Sequence, residues 1–88
     1  PTIKKADIRI DSNHTAYLAS MHIIAKDQKG LFAYIAKIFD DFKIEIESAK
    51  LHTLNGYARD LILIEKNGNF CSKQEEIINL ICINDKKI

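Results

Sequence analysis

Eighty-eight residues, 47% hydrophobic and 28% charged with a formal net charge of +1, describe one small folded domain with a modest core. This balance excludes intrinsic disorder and the one-sided basic excess of a nucleic-acid binder. No apolar run reaches the roughly eighteen residues a membrane-spanning helix needs, and no signal-peptide pattern opens the chain, so a cytoplasmic setting is expected.

The chain opens on Pro1 and is read as a segment excised from a larger enzyme. Ala6 to Ile10 sets Asp7 and Arg9 against Ile8 and Ile10, the alternation of a short strand. Asp11-Ser12-Asn13-His14 is a turn cluster, and Ala16 to Lys26 reads as a longer strand that closes a hairpin with the first. Asp27-Gln28-Lys29-Gly30 breaks it. Leu31, Ile35, Ile38, Phe39 and Phe42 then recur on one face of a helix running to about Phe42, with Ala33 and Ala36 adding helix propensity.

Ile44 to Thr53 alternates with a switch of face near Ser48-Ala49, which predicts a strand carrying a bulge or strong twist. Asn55-Gly56 signals a tight hairpin, and Ala58 to Glu65 is the return strand. Asn67-Gly68-Asn69 is read as a loop. Ser72-Lys73-Gln74-Glu75 has the form of a capping box that starts a second helix, carried by Ile77, Ile78, Leu80 and Ile81 to about Cys82. Ile83 to Ile88 is weakly patterned, either a short strand or a frayed tail. The order β, β, α, β, β, α predicts an α+β sandwich of ferredoxin-like type. It has an antiparallel sheet, two helices on one face, and the strand 6–10 at the edge beside the strand 16–26.

Catalytic chemistry finds no footing. His14, His22 and His52 share no metal-ligand spacing with one another or with Cys71 and Cys82, which are read as reduced thiols. Asp40 and Asp41 are adjacent on a helix, point in different directions and read as a solvated face. Glycine-rich phosphate loops are missing, and Tyr17 is the one candidate for stacking on a base. We therefore expect no enzyme activity, cofactor, metal or nucleic-acid partner for this segment.

Lys26 to Leu31 stands out: a strand end, a tight turn and a helix start fall within it. Gly30 admits close approach of a backbone or ligand, and the first helical N–H groups lack intrahelical partners and attract a carboxylate such as that of a free amino acid. The structural alternative is a tight βα turn with a helix cap.

Met21 to Glu65 resembles the ACT domain family. The resemblance rests on the D-x-x-G-L pattern of Asp27, Gly30 and Leu31, the amphipathic helix, and the strand Ile46-Glu47-Ser48-Ala49-Lys50. The continuation through Leu51, Thr53, Asn55-Gly56 and Asp60 is most similar to the C-terminal ACT domain of PII-protein uridylyltransferase/uridylyl-removing enzymes. Two departures are plain. Gln28-Lys29 stand where that family has Arg-Pro, which loosens the turn, and an aromatic is missing near Leu63.

The resemblance implies a regulatory domain with its catalytic machinery outside this chain, an amino-acid effector (glutamine), and pairing with another ACT domain. It places the effector where Asp27, Gln28, Gly30 and Leu31 face Ile46, Ser48 and Ala49 of a neighbouring domain. Backbone N–H groups near Gly30 and Leu31 take its carboxylate. Asp27 takes its ammonium or caps the helix, and Ser48 takes its side-chain amide. The rival reading is a ligand-free dimerisation or docking module.

Overall fold

In the computed structural model, which describes residues 1–86, the chain runs β1 (Ile8–Asp11), β2 (Leu18–Lys26), α1 (Leu31–Asp41), β3 (Ile46–Leu54), β4 (Tyr57–Glu65) and α2 (Gly68–Ile81). Short 3-10 turns flank it at Lys5–Asp7 and Ile83–Lys86. The four strands form one antiparallel sheet in the order β1-β2-β4-β3. β1 lies at the edge beside β2, with Ile8 opposite Ile23 and Asp11 opposite Ser20. The expected α+β sandwich of ferredoxin-like topology is what forms.

Strand alternation sorts the sheet into two faces. Ala19, Met21, Ile23 and Ala25 of β2 and Ala58, Ile62 and Ile64 of β4 are buried against the helices. They meet Leu31, Ile35 and Phe39 of α1 and Phe70, Ile77 and Ile81 of α2. Each large side chain removed from water there contributes about 1.5–3 kcal/mol before entropy is set against it. The Tyr34 hydroxyl donates to the carbonyls of Leu80 (3.0 Å) and Ile81 (3.1 Å), tying α1 to the end of α2.

Several boundaries move, each for a local reason. Ala6 and Asp7 belong to a 3-10 turn, because the Asp7 N–H donates to the Lys4 carbonyl and the Asp7 carboxylate accepts from the Lys4 N–H. Ala16 falls outside β2, because Thr15 Oγ1 accepts from the Tyr17 and Leu18 N–H groups and holds the entry in a turn. Helix α2 starts at Gly68, so the segment read as a loop is its first turn. Asn67, with its side chain accepting from the Phe70 N–H at 2.8 Å, is the cap. Ser72 lies inside the helix and donates back to the Gly68 carbonyl at 2.8 Å, which removes it from the capping role. Residues 83–86 form a 3-10 turn; the rest of the predicted tail, residues 87–88, lies outside the described residues.

The face switch in β3 is a bulge at Glu47. Pairing passes from Ile46 opposite Ile64 to Ser48 opposite Leu63. Ile46 and Ala49 therefore sit on the helix side of the sheet, and Ser48 on the open side.

Candidate functional site

The turn 27–30 is built by local constraints and one long-range contact. β2 ends at Lys26, opposite Tyr57, and the Asp27 N–H donates to the Gly56 carbonyl at 2.9 Å, fastening the turn to the tip of the β3–β4 hairpin. At that tip Asn55 and Gly56 have φ of 53° and 79°, as a two-residue primed turn demands. Gly30 caps α1 with φ of 74°, a left-handed conformation that carries little cost only without a Cβ. The Leu31 N–H is taken by the Gln28 carbonyl at 3.2 Å, and the Gly30 carbonyl receives Tyr34. The N–H groups of Phe32 and Ala33 make no backbone hydrogen bond.

A depression of about 260 Å³ opens there. Asp27, Gln28, Gly30, Leu31, Phe32 and Ala33 line one side, and Leu51, Thr53, Ala58 and Asp60 the other. Asp60 is its unusual member: 6% exposed, on the helix-covered side of β4 between Ile23 and Leu51 of the flanking strands. Burial pushes its carboxyl above the usual carboxylate range, the His52 backbone N–H pulls it back, and the negative charge of Asp27 pushes it further up. Two carboxylates and two open helix N–H groups can thus receive the two ends of a zwitterion.

The predicted residues divide. Asp27, Gly30 and Leu31 line the depression. Gln28 lines it too, but its amide is committed elsewhere: Oε1 accepts from the Thr2 N–H at 2.6 Å and Nε2 donates to the carbonyls of Thr2 and Lys26. This clasp holds the N-terminal segment and its wholly buried Ile3 against the fold, and none of residues 1–5 was read as structured from the sequence. Ile46 lines a separate hollow of about 310 Å³ near the C-terminal part of α1, with Ala36 and Asp40. Five strand steps, about 16 Å, part Ile46 from Leu51. One chain therefore does not bring Ile46, Ser48 and Ala49 to the turn.

Leu51, Thr53, Ala58 and Asp60 are legible in the sequence as strand residues, the first two and Asp60 also through the family pattern, but none of the four is among the predicted site residues. A usable signal existed. The two-residue turn at Asn55-Gly56 fixes Thr53 opposite Ala58 and Leu51 opposite Asp60, and Asp60 is the one acid on the Ala58/Asp60/Ile62/Ile64 face.

His14, His22 and His52 are exposed, and Asp41 pairs with Lys37 at 3.2 Å on the surface of α1. Among the described residues no group of three or more His, Cys, Asp or Glu side chains converges to hold a metal ion. Cys71 is exposed and Cys82 buried, and no disulfide joins them. No helix of the described residues is long and apolar enough to cross a membrane.

Fold and site together define a small α+β module with a shallow polar depression at a strand–helix turn. No family model matches the chain. It is similar to part of the bifunctional uridylyltransferase/uridylyl-removing enzyme of Chromobacterium violaceum, 38% identical over 60 residues, which cover 68% of this chain and 7% of that protein. The enzyme of the same description from Pseudomonas syringae pv. tomato is 31% identical over 74 residues, covering 75% of this chain and 8% of that protein. The chain thus corresponds to a small part of the curated relatives it matches.

Proposed function

We propose that this chain is an ACT-type sensing domain of a cytoplasmic uridylyltransferase/uridylyl-removing enzyme acting on PII protein, with glutamine as its effector and catalysis carried by other parts of that protein. The observation that carries the reading is the similarity to a short stretch of two enzymes described as bifunctional uridylyltransferase/uridylyl-removing enzymes. The polar depression supports it. The N–H groups of Phe32 and Ala33 receive the effector's carboxylate, and Asp27 and Asp60 receive its ammonium.

The glutamine amide extends beyond this shallow hollow, toward the Ile46–Ala49 strand of a second domain, where Ser48 bonds it. Occupancy then tightens the pairing of the two domains and biases the attached catalytic parts, with a coupling of about 1–3 kcal/mol typical of such linkage. Isothermal titration of the chain with glutamine, against a panel of other amino acids, tests the proposal. Saturable, glutamine-selective heat is expected. Selectivity for another amino acid overturns the effector, and no binding by the folded, paired domain overturns the sensing role.

A further inference from the structure

The sheet face turned away from the helices carries a pattern that the effector reading leaves unused. At its centre Ile24 is 47% exposed, with Leu61 half-buried on the adjoining strand. Arg9 of β1, Arg59 of β4 and Lys50 of β3 surround this apolar centre, all exposed. The ladder aligns them: Arg9 lies opposite His22, His22 opposite Leu61, and Leu61 opposite Lys50, while Arg59 lies opposite Ile24. None of these three cations has an ion-pair partner among the described residues, where the salt bridge present is Lys37–Asp41 on α1.

The surface is also contoured. Three depressions of about 680, 460 and 240 Å³ meet at Ile24. Acids stand at their margins: Asp7, which accepts from the Lys4 N–H, and Asp27 of the turn line the largest, and Asp60, buried on the helix side of β4, lines the smallest, while Asp11 and Glu65 lie toward the opposite end of the strands.

We propose that this face docks an acidic polypeptide segment, seating an apolar side chain at Ile24 and its carboxylates on Arg9, Arg59 and Lys50. Charge selects this occupant over the others. A second copy laid on the same face brings the three cations toward their own equivalents, and like charges across an interface are unfavourable. A nucleic-acid strand needs rings to stack on, and the centre here is aliphatic, with Tyr57 at the margin. An apolar anchor ringed by complementary charge is the arrangement that concentrates affinity in protein interfaces.

The test uses the 88-residue chain and two synthetic peptides, one glutamate-rich around a central Phe-Leu pair and one with lysine replacing each glutamate. Amide shifts are followed by heteronuclear NMR. The acidic peptide is expected to shift β1, β2 and β4 amides on the open face. Its affinity should fall at least about tenfold in the Lys50→Glu/Arg59→Glu variant, and fall again as the screening length drops from about 10 Å near 0.1 M salt to about 3 Å near 1 M. A Lys37→Glu/Lys73→Glu variant, altered on the helices, should bind as the unaltered chain does. Equal binding of the lysine peptide, indifference to the Lys50/Arg59 reversal, or absence of shifts in the folded chain overturns the proposal. Self-association through this face, or tighter binding of a single-stranded oligonucleotide there, overturns it in favour of that occupant.

Discussion

Replacing Asp60 by asparagine should make the domain more stable at neutral pH. The carboxylate is 6% exposed, faces Ile23 and Leu51 across the ladder, and has no cation in ion-pair reach among the described residues. Burial raises its pKa, the His52 N–H opposes that, and the Asp27 charge adds to it. The sign follows directly. The folded state binds the Asp60 proton more tightly than the unfolded chain does. This group's stabilisation is therefore fully present below the unfolded value of about 3.8–3.9, and is lost as pH rises through the folded value.

At pH 7 the ionised side chain thus opposes folding. Asparagine keeps an acceptor for the His52 N–H and removes the charge. The expected gain is about 1 kcal/mol, or roughly 4–8 °C in Tm for a domain of this size. Urea and thermal unfolding of both proteins between pH 4 and 8 measures it. The advantage of the variant should shrink as pH falls and the native carboxyl takes up its proton. A variant less stable than the native chain at pH 7 refutes the reasoning, because the carboxylate then has a favourable partner. The same substitution should weaken glutamine binding, as expected of a residue whose charge serves a ligand at the fold's expense.

The remaining predictions are local. Gly30→Val meets open space, so its cost of about 1–2 kcal/mol arises from the left-handed backbone, and titration should show effector binding lost while circular dichroism stays near native. Asn67→Ala should destabilise by about 1 kcal/mol in urea melts, whereas Ser72→Ala should change little, which separates the observed cap from the one the sequence suggested. Gln28→Ala breaks the clasp on Thr2; faster amide exchange across residues 2–4 and a loss of about 1 kcal/mol are expected, and unchanged exchange would show the clasp to be incidental.

Periodicity was enough to place α1, since five apolar residues on one helical face have a single way to be buried, and Leu31, Ile35 and Phe39 are buried in the core. Asn55-Gly56 was enough to place the second hairpin, because few residue pairs accept two positive φ values. The start of α2 was misread because Asn67 and Ser72 are both able to cap, and local sequence does not choose between them. Packing chose, by burying Phe70 in the helix's first turn. The N-terminal segment was invisible for a similar reason: Ile3 is a lone apolar residue with no period, and only the distant Gln28 amide gives it a place.

At the site, the sequence by itself marked the turn 27–30, through Gly30 and the helical face that starts at Leu31, while the contacts of Asp27 with Gly56 and of Gln28 with Thr2 fasten it in the fold. Tertiary structure decided which residues face it. Strand register counted from the Asn55-Gly56 turn set Asp60 and Leu51 against the turn and Ser48 on the open face, and the one-residue bulge at Glu47 returned Ile46, farther along the strand, to the helix side. Register is a property of two strands at once, and a shift of a single residue exchanges the faces of everything beyond it.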